Sequence, residues 1–179
     1  MENKNSSLLK VCHLVLVLAG VALCVYGFIF DSFTILDKVT LILKIAALLS
    51  SFIYLIKGYK KEADLYYKMF MWFLGIFEIV GYTSFLSKGI VLSIFQGFVS
   101  ILTFAAFILI IGAKDYGKVK SNIVSITLIV LTAYTAISVF FTSDILSLHI
   151  TSICQFVLAS IAALMVIAKY IDKDSRGAK

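Results

Sequence analysis

Six apolar runs, each close to twenty residues long and separated by short connectors, dominate this sequence at residues 11–30, 39–56, 69–86, 90–111, 123–141 and 145–168. Such a run matches the ~20 residues that cross a ~30 Å hydrocarbon layer at a rise of 1.5 Å per residue. Helix is the element that fits, because the centre of a bilayer offers no water to backbone N–H and C=O groups. The runs also lack the short alternating pattern of barrel strands. With 61% hydrophobic and 15% charged residues and a mean hydropathy of +1.05, a water-soluble fold is excluded. A domain of about 150 residues leaves roughly 30% of its unfolded-state surface exposed, too much to hide this apolar content.

The expected fold is therefore all-α: a single transmembrane domain over residues 1–179, built as a bundle of six spans and ending in a short charged tail, 169–179, that frays beyond its first turn. The second and third runs are the shortest, and each carries one ionisable residue. The first run is too long for a cleaved secretory signal. Leu23, bulky before Cys24, also does not suit lipoprotein-type cleavage, so an uncleaved first helix is expected. Short connectors make successive spans antiparallel neighbours.

Orientation follows from the basic residues, which short cytoplasmic loops retain. Thirteen fall on one side: Lys4 and Lys10, then Lys57, Lys60, Lys61 and Lys68, then Lys114, Lys118 and Lys120, and finally Lys169, Lys173, Arg176 and Lys179. The other side holds Lys38 and Lys88, and Lys44 lies within a span. Both termini are thus expected in the cytoplasm, with the chain a multi-pass protein of the cell membrane. Tyr59, Tyr66, Tyr67, Trp72, Tyr116 and Tyr170 flank the basic connectors, where amphipathic rings sit at headgroup level. Lysines beside such a girdle meet anionic lipid headgroups. That pairing accounts for the net charge of +6 without a nucleic-acid partner.

Polar residues inside the runs need a reason, since an ionisable side chain near the bilayer centre costs ~2.5–3.5 kcal/mol on insertion scales. Lys44, Glu78, Gln96 and Gln155 are the candidate substrate or ion pathway. By helical rise Lys44 and Glu78 differ in depth by only ~4–5 Å, within reach of lysine's flexible stem. Three assignments are open: a structural ion pair, a cation or proton site at Glu78 with Lys44 as countercharge, and Lys44 snorkelling outward beside a neutral Glu78. Gln96 and Gln155 read first as hydrogen-bonding links between helices. Similar text around Lys44, Gln96 and Gln155, with basic ends Lys57-Gly58-Tyr59, Lys114-Asp115-Tyr116 and Lys169-Tyr170, raises three copies of a helical hairpin as an alternative ancestry.

The remaining features point to packing. Cys12, Cys24 and Cys154 show no C-x-x-C spacing and read as buried small apolar side chains. His13 and His149, near the ends of the first and last runs, form no metal set, and no cofactor is expected. Ala46 with Ser50, Ala47 with Ser51, and Ala159 with Ala163 are notches at four-residue spacing that admit close helix approach. Serines and threonines such as Ser50, Ser51, Thr83, Ser84 and Ser100 are expected to bond their own backbone or a neighbouring helix. No H-E-x-x-H, G-x-S-x-G or phosphate-binding glycine loop occurs, so an enzyme is not expected. Two function classes stand: a small transporter or channel using the Lys/Glu site, and a non-transporting scaffold or accessory subunit, alone, as an oligomer or with a partner subunit.

Overall fold

The computed structural model describes residues 4–30, 35–82, 94, 97–98, 101, 105, 118–142 and 146–177. The elements formed by the described residues are helical: α1 (Lys4–Phe30), α2 (Ile35–Ile56), a 3-10 turn (Lys61–Ala63), α3 (Asp64–Tyr82), α4 (Lys118–Thr142) and α5 (Leu146–Gly177). Four contain segments long and apolar enough to cross a membrane, at Ser7–Ile29, Lys38–Ile56, Ile123–Phe141 and His149–Lys169. The described residues are all-α as expected, and these four helices are consistent with a multi-pass membrane protein. The shorter α3 is not among these four, and it carries Asp64, Lys68 and Glu78 along its length. The expected span at 90–111, with Gln96, lies outside the described residues except for five isolated positions.

Helix ends overrun the apolar runs because bilayer thickness limits the greasy part of a helix, not its hydrogen-bonded length. α1 begins at Lys4 and α4 at Lys118. The tail expected to fray instead continues α5 through Lys169 to Gly177, since an established helix adds one hydrogen bond for each further residue it orders. At the other extreme, α2 stops sharply. Tyr59 N–H donates to the Tyr54 carbonyl at 3.2 Å and Gly58 N–H to that of Leu55 at 2.9 Å, the paired closure of a Schellman cap. Gly58 takes φ 67° and Tyr59 φ 60°. The rings of Tyr54 and Tyr59 meet edge to face at 5.3 Å, supplying the apolar contact that accompanies such a cap.

α1 packs against α2 and α5, α2 against α3, and α4 against α5, and a lighter α3–α4 contact closes the ring. The interior is filled by Val17 of α1, Leu48 and Tyr54 of α2, Phe70, Met71 and Leu74 of α3, Leu128 of α4, and Leu158, Ile161 and Met165 of α5. Close approach is set where side chains are smallest. A Cβ on Gly20 would stand 2.7 Å from Leu48 Cδ2, and Ala47 and Ser51, one of the notches read from the sequence, are fully buried.

The molecule turns its apolar side chains outward: Val11, Val15, Leu18, Val25 and Phe28 on α1, and Ile123, Val130, Ile137 and Phe141 on α4, are exposed. Lys44, Glu78, Gln155, His13, Thr132 and Thr135 are inside. That inversion is the pattern of a protein whose solvent is lipid.

Cross-helix contacts fix the directions. Tyr67 and Glu78 of α3 bond Ser125 and Thr135 of α4, so these two helices run parallel. Lys169 near the end of α5 meets Asp64 at the start of α3, and His13 near the start of α1 meets Tyr59 just after α2. The start of α1, the α2–α3 connection, the start of α4 and the Lys169 region of α5 therefore share one end of the bundle, and the described lysines outside the spans, Lys38 apart, gather there.

Candidate functional site

Lys44, Ala47, Leu48 and Ser51 fall on one face of α2 at helical spacing, and all four are buried. That face points into the bundle, so Lys44 does not snorkel outward: it is 6% exposed, with its Nζ 5.1 Å from the centre of the Phe77 ring. On α3 the buried face is Phe70, Met71, Leu74, Phe77 and Glu78. The same periodicity that buries the core of α3 thus carries a carboxyl group in with it.

The expected ion pair is not closed. Among the described residues the ion pairs within 4.0 Å are those of Asp64 with Lys68 and Lys169, and Lys44 is not paired with Glu78. The direct partner of Glu78 comes from α4. Thr135 Oγ1 lies 3.2 and 3.4 Å from the two carboxyl oxygens and 2.9 Å from the Thr132 carbonyl. Thr132 is buried on the same face of α4, its Oγ1 donating to the Leu128 carbonyl at 2.9 Å. Each hydroxyl has a single proton to donate. Carbonyl and carboxyl oxygens therefore compete for it, and protonation of Glu78 would let the carboxyl donate to the Thr135 oxygen instead.

Gln155 is buried on α5, next in sequence to Cys154, whose sulfur is 3.9 Å from that of Cys24 on α1. The cysteines thus differ from one another: Cys12 is exposed rather than buried, and Cys24 and Cys154 face each other. Side chains of α1, α2, α3, α4 and α5 all contribute to this half of the interior, and no three of His, Cys, Asp and Glu converge among the described residues.

A second polar cluster lies at the lysine-rich end and is closely tied. Lys169 Nζ donates to Asp64 Oδ1 at 2.7 Å and stands 4.3 Å above the Tyr67 ring. Tyr67 OH donates to Ser125 Oγ at 2.9 Å. His13 Nδ1 is 3.0 Å from Tyr59 OH, its ring stacked on that of Tyr59 at 5.7 Å, and burial pushes the Tyr59 phenol well above its usual range. Tyr59 and Tyr67, expected in a headgroup girdle, are instead turned inward at 6% and 2% exposure, because the Schellman cap folds one back over α2 and the core face of α3 carries in the other. Trp72 is exposed, and Tyr66 is covered by Lys57 at 5.0 Å, while Tyr116 and the Tyr170 side chain lie outside what is described.

Two further expectations meet the geometry. Lys57-Gly58-Tyr59 forms a turn whereas Lys169-Tyr170 continues a helix, so these two ends are not structurally equivalent and lend the hairpin-repeat ancestry no support. Ser50 and Ser51 bond the carbonyls of Ala46 and Leu48 in their own helix, as expected for hydroxyls in apolar helices. His149, at the opposite end, stacks on Phe140 at 4.8 Å. The sequence reading missed Thr132 and Thr135. Their only signal was hydroxyls at three-residue spacing on α4, in register with Leu128 on its buried face. Comparison with protein-family models, with curated proteins and with solved structures finds no match to this chain.

Proposed function

We propose that this chain is a six-span protein of the cell membrane, with both termini cytoplasmic, that moves a proton or a small cation through its polar interior. Glu78 is the exchanging group, and Lys44 is a fixed positive charge that keeps the site from filling without release. Gln96 and Gln155 belong to the same pathway. The observation that carries this is the separation of Lys44 and Glu78: both are buried, on facing helices, and yet unpaired. A purely structural pair gains by closing, since a buried charge without its partner is destabilising by several kcal/mol. A site that must bind and release an ion instead needs its carboxyl group held by a neutral hydroxyl, as Thr135 holds Glu78.

The parallel course of α3 and α4 supports six spans. A chain that leaves α3 at one end of the bundle and enters α4 at the other has to return between residues 82 and 118, where the apolar run 90–111 has the length for one crossing. The lysine-rich end then faces the cytoplasm and its anionic headgroups. One observation favours the competing class, a non-transporting scaffold or accessory subunit: the Thr135 hydroxyl already supplies Glu78 with a protein partner.

Reconstitution in liposomes loaded with pH- and cation-sensitive dyes separates the two. Transport predicts a flux that Glu78→Gln abolishes while the variant stays folded. Wild-type liposomes silent to protons, sodium and potassium in both directions would leave the scaffold.

A further inference from the structure

Cys24 and Cys154 are 130 positions apart in the chain and 3.9 Å apart at their sulfurs. α1 and α5 pack directly on one another, and one turn from Cys24 Gly20 faces Val157 of α5, whose Cγ1 is 3.5 Å from where a Cβ would stand, an ordinary van der Waals distance. Both sulfurs belong to the apolar core cluster that contains Val17, Leu48 and Leu158. By helical rise they lie about 9 and 12 Å from the ends of their helices, at the end of the bundle away from the lysines. A disulfide brings two sulfurs to about 2.05 Å. The approach still needed is smaller than the sweep of a cysteine sulfur between staggered rotamers.

We propose that Cys24 and Cys154 are a dithiol that a lipid-soluble hydroperoxide oxidises to an intramembrane disulfide, pinning α1 to α5 beside Lys44. One sulfur attacks the terminal peroxide oxygen; an S–O bond forms, the O–O bond breaks, and the hydroperoxide leaves as its alcohol. The second sulfur then attacks the resulting sulfenic acid, forming the S–S bond and breaking the S–O bond, and the hydroxyl leaves with the second thiol's proton as water. Two thiols and one hydroperoxide thus give one disulfide, one alcohol and one water. The two sulfurs are oxidised by two electrons in total and the peroxide is reduced by two. The oxidant is lipid-soluble because the sulfurs sit in an apolar cluster of a membrane protein. The second step is favoured because the resolving thiol is already in contact. This assignment is independent of whether the protein transports anything.

The test uses the full chain in liposomes, exposed to cumene hydroperoxide, alkylated, digested without reduction and read by mass spectrometry. The expected product is a cross-linked peptide pair holding Cys24 and Cys154, two hydrogens lighter than the reduced pair, in most chains. Dithiothreitol should reverse it, and the oxidised protein should unfold at a higher temperature than the reduced protein. Cys12→Ser should leave the link intact, and Cys24→Ser or Cys154→Ser should remove it. The proposal is overturned if wild-type protein keeps both thiols alkylatable after treatment, advances them to sulfinic acid without linking, or links only through Cys12 between chains.

Discussion

The two halves of this bundle bury charged side chains differently. At the lysine-rich end Asp64 is met by Lys169 and Lys68, Tyr67 by Ser125 and His13 Nδ1 by Tyr59, each contact joining groups from separate parts of the chain except the one-turn Asp64–Lys68 pair, while the buried His13 Nε2 has no hydrogen-bond partner among the described residues. In the other half, Lys44 and Glu78 enter the interior from adjacent helices and do not meet. Polar burial that is satisfied by protein groups holds helices together. In the other half two opposite charges are buried without closing on each other, Glu78 held by the Thr135 hydroxyl and Lys44 lying over Phe77, so that half is tied by neutral and aromatic contacts and not by an ion pair.

The sharpest way to break this contrast is to neutralise one carboxylate at each end. Glu78→Gln should lower ion flux at least tenfold, about 1.4 kcal/mol or more in barrier, while the thermal midpoint in detergent stays near wild type because the Thr135 contact survives. Equal flux in the two proteins would erase the distinction between the ends. Next in size, Gly20→Val should destabilise by about 1–3 kcal/mol through overpacking against Leu48, measured as a lower midpoint; an unchanged midpoint would mean that α1 and α2 do not approach as described. Lys44→Met keeps the stem and removes the charge, so it should raise stability by about 1–2 kcal/mol while changing flux. A fall in midpoint would show that the ammonium is a structural partner after all.

Smaller effects belong to the tied end. Tyr67→Phe should lose about 1 kcal/mol with its bond to Ser125, and the double variant with Ser125→Ala should show the coupling that a direct hydrogen bond requires. Asp64→Asn should cost less, about 0.5 kcal/mol, since Lys68 and Lys169 are 46% and 38% exposed and such pairs are screened. Its cost should shrink further in high salt, with flux unaffected. Loss of flux in Asp64→Asn would instead tie the lysine-rich end into the pathway.

Membrane residence and helical class were legible in the sequence because they depend on sums: twenty apolar residues in a row have one physical solution in water-poor surroundings. The shared end of the lysines was legible for the same reason, since alternating connectors in a bundle must return to the same side. The site was legible only in part. Lys44 and Glu78 stood out as charges in apolar text, and helical rise put them at similar depth, but depth does not say which way a residue faces around its helix. Snorkelling and ion pairing are both defeated by the rotation of α2, which places Lys44 on the face of Ala47 and Leu48 and over Phe77. Thr135 carried no alarm, because a threonine in an apolar helix normally bonds its own backbone.

Composition and periodicity by themselves pointed to a helical chain with spans fit for lipid and to most of the described lysines sharing one end, because those properties add up along the chain without regard to partners. Only the tertiary structure decided that Tyr59 and Tyr67 turn inward, that Glu78 finds Thr135 and not Lys44, and that Cys24 finds Cys154 across 130 residues. Pairings of that kind are set by the rotation and close approach of helices. Those depend on small features such as the bare Cα of Gly20, which no local sum records.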